Sequence, residues 1–172
     1  MKFSYPPKYP NSQVASTWQN PWEFAIVVTM LKVLNVKKIL EIGVGHRDHH
    51  GTMKHWEFEL FGIDNNIEGY HPNIKKGFSS DLFVVEWAQR NGPYDAVFID
   101  GDHSFEGIAN DWFHYSPMAG IIVVHDIDSN QSPPYPTDKG VHSWWSQISQ
   151  LYDTIEAHAK SPENYGVGII IK

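Results

Sequence analysis

Two short apolar runs, Asp95 to Ile99 and Gly120 to Val124, are rich in Val and Ile and show no alternation of polar and apolar positions. Such runs belong to parallel strands covered on both faces. Between them lie a polar turn, Asp100 to His103, and a helical pattern from Ser104 to Tyr115. Strand, helix and strand in that order predict an α/β fold. Asn20, Pro21 and Glu23 supply an N-cap, a first-turn proline and an early acid, and Phe24, Val27, Val28, Leu31 and Leu34 recur at helical spacing, which predicts a helix over 21–34. Further strands are expected at Lys38 to Ile42, Phe58 to Ile63 and, briefly, around Lys75 to Ser79. Asp81 opens a helix from Leu82 to Arg90, which Asn91 and Gly92 stop. Val141, Trp144, Trp145, Ile148 and Leu151 form one stripe of a helix over 140–151, followed by closing strands Tyr152 to Ala157 and Val167 to Ile171.

Two stretches carry no period. Met1 to Gln19, with Pro6, Pro7 and Pro10, reads as an extended arm, leaving 20–172 as a single domain. Ile127 to Lys139 holds three prolines and is a loop beside Asp126, placed for substrate contact. A chain of 172 residues suffices for one core. Its net charge of -7 argues against an extensive nucleic-acid or anionic-membrane surface. The absence of cysteine excludes disulfides, thiolate metal sites and a cysteine nucleophile. The longest apolar stretch, Phe24 to Leu34, is interrupted by Thr29 and Lys32 and is too short for a membrane span, so a soluble, cytoplasmic protein is expected.

Chemistry concentrates at the predicted strand ends, where ligands of such sheets bind. The first strand runs into Glu41, Gly43 and Gly45 of LEIGVG. Glycines there admit positive φ and close backbone approach to a ligand, although turn glycines also occur without one. Asp64 ends the second strand, 19 residues after Gly45, where an acid accepts the hydroxyls of a ribose; the plainer reading is a turn with Asn65 and Asn66. Ser80 and Asp81 stand at a third strand end, suited to an adenine amino group or to plain capping. Asp100, Asp102, His103, His125 and Asp126 crowd the next two. Helix capping by Asp100 and Asp102, a backbone bond from His103, and support of Asp126 by His125 are the structural alternatives.

LEIGVG, the acid of FGIDNN, the block YDAVFIDGDHSFEG and VVHDI together resemble the class I S-adenosylmethionine-dependent methyltransferases. The chain is most similar to the small-molecule and sugar O-methyltransferase branch, which includes macrolide, rhamnosyl and cephalosporin-hydroxylase-like proteins. The resemblance covers about Pro21 to Lys172. It implies a Rossmann-like, doubly wound, mostly parallel seven-stranded sheet with an antiparallel last strand. It implies S-adenosylmethionine bound by Glu41, Gly43, Gly45, Asp64, Ser80, Asp81 and Asp100, a divalent metal (Mg²⁺) on Asp100 and Asp126 with His125 beside them, and His103 as general base. The implied acceptor is a hydroxyl of a small molecule or sugar, and a second subunit could complete the acceptor pocket as a homo-oligomer. The same fold also hosts lyase or hydroxylase-like reactions and non-catalytic cofactor binding.

Two departures stand out. The related sugar enzymes carry an acidic pair where this chain has His125 and Asp126, which removes one oxygen ligand from a Mg²⁺ site. The third glycine of the cofactor loop is replaced by the run His46 to His50. With His55, these histidines invite a zinc reading, but no HExxH pattern accompanies them and the flanking glycines suggest a loop.

Overall fold

The computed structural model describes residues 20–45, 48–69, 71–128, 140–158 and 165–172. The predicted arm, and the proline-bearing loop from residue 129 onward, lie outside them. Seven strands form one sheet in the order β3-β2-β1-β4-β5-β7-β6: β1 (Lys38–Ile42), β2 (Glu59–Asp64), β3 (Ile74–Lys76), β4 (Ala96–Ile99), β5 (Ile121–His125), β6 (Asp153–Ala157) and β7 (Val167–Ile171). Strands β3, β2, β1, β4 and β5 are mutually parallel, and β7 lies antiparallel between β5 and β6. The expected topology is therefore present.

The unbroken apolar strands have their predicted cause, since both faces are covered. On one face Phe24, Val27, Val28 and Leu31 of α1 (Pro21–Val33) and Met53 of α2 (Asp48–Lys54) pack on Ile39, Phe98 and Val123. On the other, α3 (Leu82–Asn91), α4 (Phe105–Tyr115) and α5 (Gly140–Ile148) bring Val84, Val85, Ile108, Tyr115, Trp144 and Trp145 against Leu40, Val97 and Ile122. The cap of α1 forms as its residues dictate, with the Asn20 side chain accepting from the Trp22 amide at 3.0 Å.

Two local expectations are corrected, and one structural alternative falls away. The segment after Gly45 contains the short helix α2, which two histidines and a glycine in seven residues concealed. Helix α4 is capped by neither Asp100 nor Asp102: the Ser104 hydroxyl accepts from the Gly107 amide at 2.9 Å, while Asp102 accepts from the Ser104 amide at 2.9 Å. Asp81 stands at the N-cap position of α3 without a side-chain capping bond, accepting instead from the Phe78 amide at 3.1 Å. The antiparallel insertion of β7 depends on Gly168, because a Cβ there would overlap the Trp145 ring. That ring is tethered by its Nε1 donating to Glu156 at 2.6 Å.

Leu31 is fully buried between α1 and the sheet. Leu31→Ala is expected to lower unfolding free energy by about 2–5 kcal/mol, read as a lower urea midpoint at unchanged slope.

Candidate active site

Parallel strands β1, β2, β3 and β4 all end on one edge of the sheet, so the residues that follow them converge there. They enclose a cavity of about 330 Å³ lined by Ile42, Gly43 and Gly45 after β1, Ile63, Asp64 and Asn65 after β2, Gly77, Phe78 and Ser79 after β3, and Asp100, Gly101 and Asp102 after β4. Gly43 is required by its surroundings. Its φ is +85°, and a Cβ would run into the carbonyl of Asp100. Asp64 clamps the glycine turn, accepting from the Gly45 amide at 2.7 Å and from the Asn66 amide at 2.7 Å. Its carboxylate thus makes the turn contact and also lines the cavity, retaining further acceptor positions.

The remaining predicted cavity residues sit slightly aside. Glu41 is buried beneath the glycine turn, with His50 of α2 bonded to it at 2.6 Å, and is not part of the cavity wall. Ser80 is exposed and Asp81 is occupied with the Phe78 amide, so the wall at the β3 end is made by Phe78 and Ser79 instead. Phe78 is 62 % exposed at the rim of the cavity.

Beside the cavity, sharing Asp100 with it, lies a cluster of two carboxylates and two imidazoles. His103 Nε2 stands 3.4 Å from Asp100 Oδ1 and 3.1 Å from Asp126 Oδ2. His125 Nδ1 stands 3.4 Å and 3.2 Å from the same two oxygens. Successive strand residues point to opposite faces, yet His125 and Asp126 both reach this point. The chain achieves this by entering the left-handed region at Asp126, φ +63°, a conformation that aspartate tolerates better than most residues. Backbone held there is a frequent mark of functional sites.

The electrostatics follow from the crowding. Burial works against the charged form of Asp100, but the adjacent His125 and His103 outweigh it and hold its carboxyl well below the usual range. Burial likewise opposes protonation of His125, and the Asp100 and Asp126 carboxylates overcome it and raise its pKa well above the ordinary value. The hydrogen bond with Asp100 raises that of His103 against partial burial, with help from Asp126. His103 is 46 % exposed at its side chain and His125 only 4 %. The two imidazoles therefore face different surroundings.

Oxygens of Asp100 and Asp126 together with a nitrogen of His125 form a donor group suited to a divalent cation. Donors about 2.1 Å from a shared ion stand about 3.0 Å apart at octahedral and about 3.4 Å at tetrahedral angles. The His125 to carboxylate separations of 3.2 and 3.4 Å lie within that interval. Neither nitrogen of His125 makes a hydrogen bond, despite complete burial of both. A cation on Nδ1 removes half of that deficit, so the residues fit the group.

Sequence reasoning overlooked Asp111. It is buried in α4, with one oxygen lacking a hydrogen-bond partner, beneath Gly101 of the cavity wall. The signal was present, since Asp111 interrupts the apolar stripe Ile108, Asp111, Tyr115. Desolvation by burial raises its pKa to about 6, against a hydrogen bond with Ser79 and with added repulsion from Asp102.

No family model matches the chain, and no curated protein matches it in sequence. Similarity to known proteins lies in the fold. A candidate caffeoyl-CoA O-methyltransferase from Staphylococcus aureus aligns with a TM-score of 0.69 at 16% identity, over 89% of this chain and 84% of that one. TomG from Streptomyces achromogenes, an O-methyltransferase of tomaymycin synthesis solved with S-adenosylmethionine, gives 0.63 at 15% identity over 87% and 78%. MycE, a methyltransferase of mycinamycin biosynthesis solved with Mg, S-adenosylhomocysteine and mycinamycin VI, gives 0.58 at 18% identity over 86% of this chain and 48% of MycE, about half its length. The chain thus has the Rossmann-like methyltransferase fold, with its antiparallel last strand, β7, inserted between β5 and β6. Among the described residues no helix is long and apolar enough to cross a membrane.

A carboxyl whose native pKa exceeds its unfolded value keeps its proton longer in the folded state, so stability falls as pH rises between the two values, here 3.8 and about 6. Asp111→Asn removes that dependence. The wild-type minus variant difference in unfolding free energy is expected to drop by about 2–3 kcal/mol from about pH 4 to about pH 7, measured by urea unfolding across that range.

Proposed function

We propose that this chain transfers the methyl group of S-adenosylmethionine to a hydroxyl oxygen of a small molecule or sugar. The observation that carries the reading is the sharing of Asp100 between the glycine-lined cavity and the Asp–His cluster, which would set a cofactor and an acceptor side by side. In this reading Gly43 and Gly45 meet the methionine portion with their backbone, and Glu41 supports that turn from below. Asp64 accepts the ribose hydroxyls, and the β3 end, from Phe78 to Asp81, holds the adenine.

The transfer breaks a sulfonium S–CH3 bond, forms an O–CH3 bond and leaves one proton to be removed. When bound on Asp100, His125 and Asp126, a divalent cation supplies Lewis acidity that lowers the pKa of the acceptor hydroxyl. His103 takes the proton at Nδ1, because Nε2, 3.1 Å from Asp126 and 3.4 Å from Asp100, donates to those carboxylates, which stabilise the resulting imidazolium. Its exposure gives an acceptor access to the ring, which buried His125 lacks. The loop bearing His103 is kept in place by α5: a Cβ on Gly140 would overlap the backbone from His103 to Phe105, so helix and loop are in direct contact. Held geometry matters because an in-line displacement depends on alignment of donor and acceptor.

Incubation with S-adenosylmethionine and a panel of catechols, sugars and hydroxylated macrocycles is expected to release S-adenosylhomocysteine and yield a methyl ether detectable by mass spectrometry. His103→Ala is expected to slow this about 10²–10⁴-fold while leaving S-adenosylhomocysteine affinity unchanged. Equal loss of turnover and affinity would assign His103 a structural role. Methylation at nitrogen or carbon, with none at oxygen, would contradict the choice of acceptor.

A further inference from the structure

We propose that His125 commits the carboxylate cluster to a later first-row transition-metal dication, such as Co²⁺, Ni²⁺ or Zn²⁺, in preference to Mg²⁺. The inference rests on the cation placement given above and deepens it. Magnesium binds hard oxygen donors in near-ideal octahedral geometry and usually keeps several waters, whereas imidazole nitrogen favours the later first-row metals. Here one of three converging donors is nitrogen, from a ring that is 4 % exposed.

The ring cannot readily turn away. It packs beside Phe98 on one strand, with centroids 6.5 Å apart, and beside Tyr165 at 5.6 Å. Both of its nitrogens are buried without a hydrogen bond, although Nδ1 stands within 3.4 Å of two carboxylate oxygens. An imidazole serving only to support Asp126 would direct an N–H along one of those lines. This one stands 3.2 and 3.4 Å from two carboxylate oxygens at once, a placement open to three donors that share an ion. Burial also limits the water that a Mg²⁺ ion would retain at this end of the site.

The test is titration of metal-free protein with Co²⁺ and with Mg²⁺, followed by calorimetry and by the visible ligand-field absorption of Co²⁺. Wild type is expected to prefer Co²⁺, with a spectrum typical of mixed nitrogen and oxygen ligation. His125→Asp is expected to narrow the Co²⁺-over-Mg²⁺ preference about tenfold or more and to change the spectrum. His125→Asn, neutral and of similar size, is expected to narrow it in the same direction, and circular dichroism establishes which variant is folded. A folded variant that keeps the wild-type preference and spectrum overturns the inference, as does wild-type protein that binds Mg²⁺ as tightly as Co²⁺ or binds neither. Parallel titration with S-adenosylhomocysteine separates the two readings. Metal selectivity without affinity for that compound would sink the methyl-transfer reading alone, and affinity without selectivity would sink the metal assignment alone.

Discussion

The contact between Gly43 and the carbonyl of Asp100 sets the layout of the whole site. Strands β1 and β4 are neighbours, and the chain leaving β1 crosses directly over the end of β4 with no room for a side chain between them. This close approach makes Asp100 common to the cavity and the cluster. Asp64 fixes the far side of the same turn through the Gly45 amide. A polar centre is thus held by backbone and by short side chains, on a sheet whose two faces are packed.

A second constraint acts at β5. The left-handed turn at Asp126 brings two consecutive side chains to one point and places a buried imidazole where an acid would make the donor set all oxygen. The cluster then contains two imidazoles in unequal surroundings. His125 is enclosed by Phe98 and Tyr165, which suits a fixed ligand. His103, on a loop with one side open, suits a group that exchanges a proton with an incoming hydroxyl.

Much of this was legible in the sequence, for identifiable reasons. Strands buried on both faces must be apolar throughout, so β1, β2, β4 and β5 announced themselves, and the acids and glycines that end them marked the functional edge. Helix α2 was hidden because its seven residues hold two histidines and a glycine and it gains order from packing, with Met53 buried in the core. Ser104 was missed as a cap because acids precede it and compete for the same role. The union of His125 with Asp126 could not be read from a strand pattern, which assigns neighbours to opposite faces; one backbone angle reverses that assignment. Phe78 and Ser79 displaced Ser80 and Asp81 from the cavity wall because β3 ends at Lys76, sooner than its pattern suggested.

Calorimetric titration of the protein with S-adenosylhomocysteine probes cofactor binding, on which methyl transfer by this chain depends, and needs neither the acceptor nor the metal. Saturable one-to-one binding is expected, weakening in Asp64→Asn, whose amide is a poorer partner for ribose hydroxyls and for the Gly45 amide alike. Absence of binding by folded wild-type protein at millimolar ligand would contradict methyl transfer by this chain, and the cavity at the carboxyl edge of the sheet would then belong to another ligand.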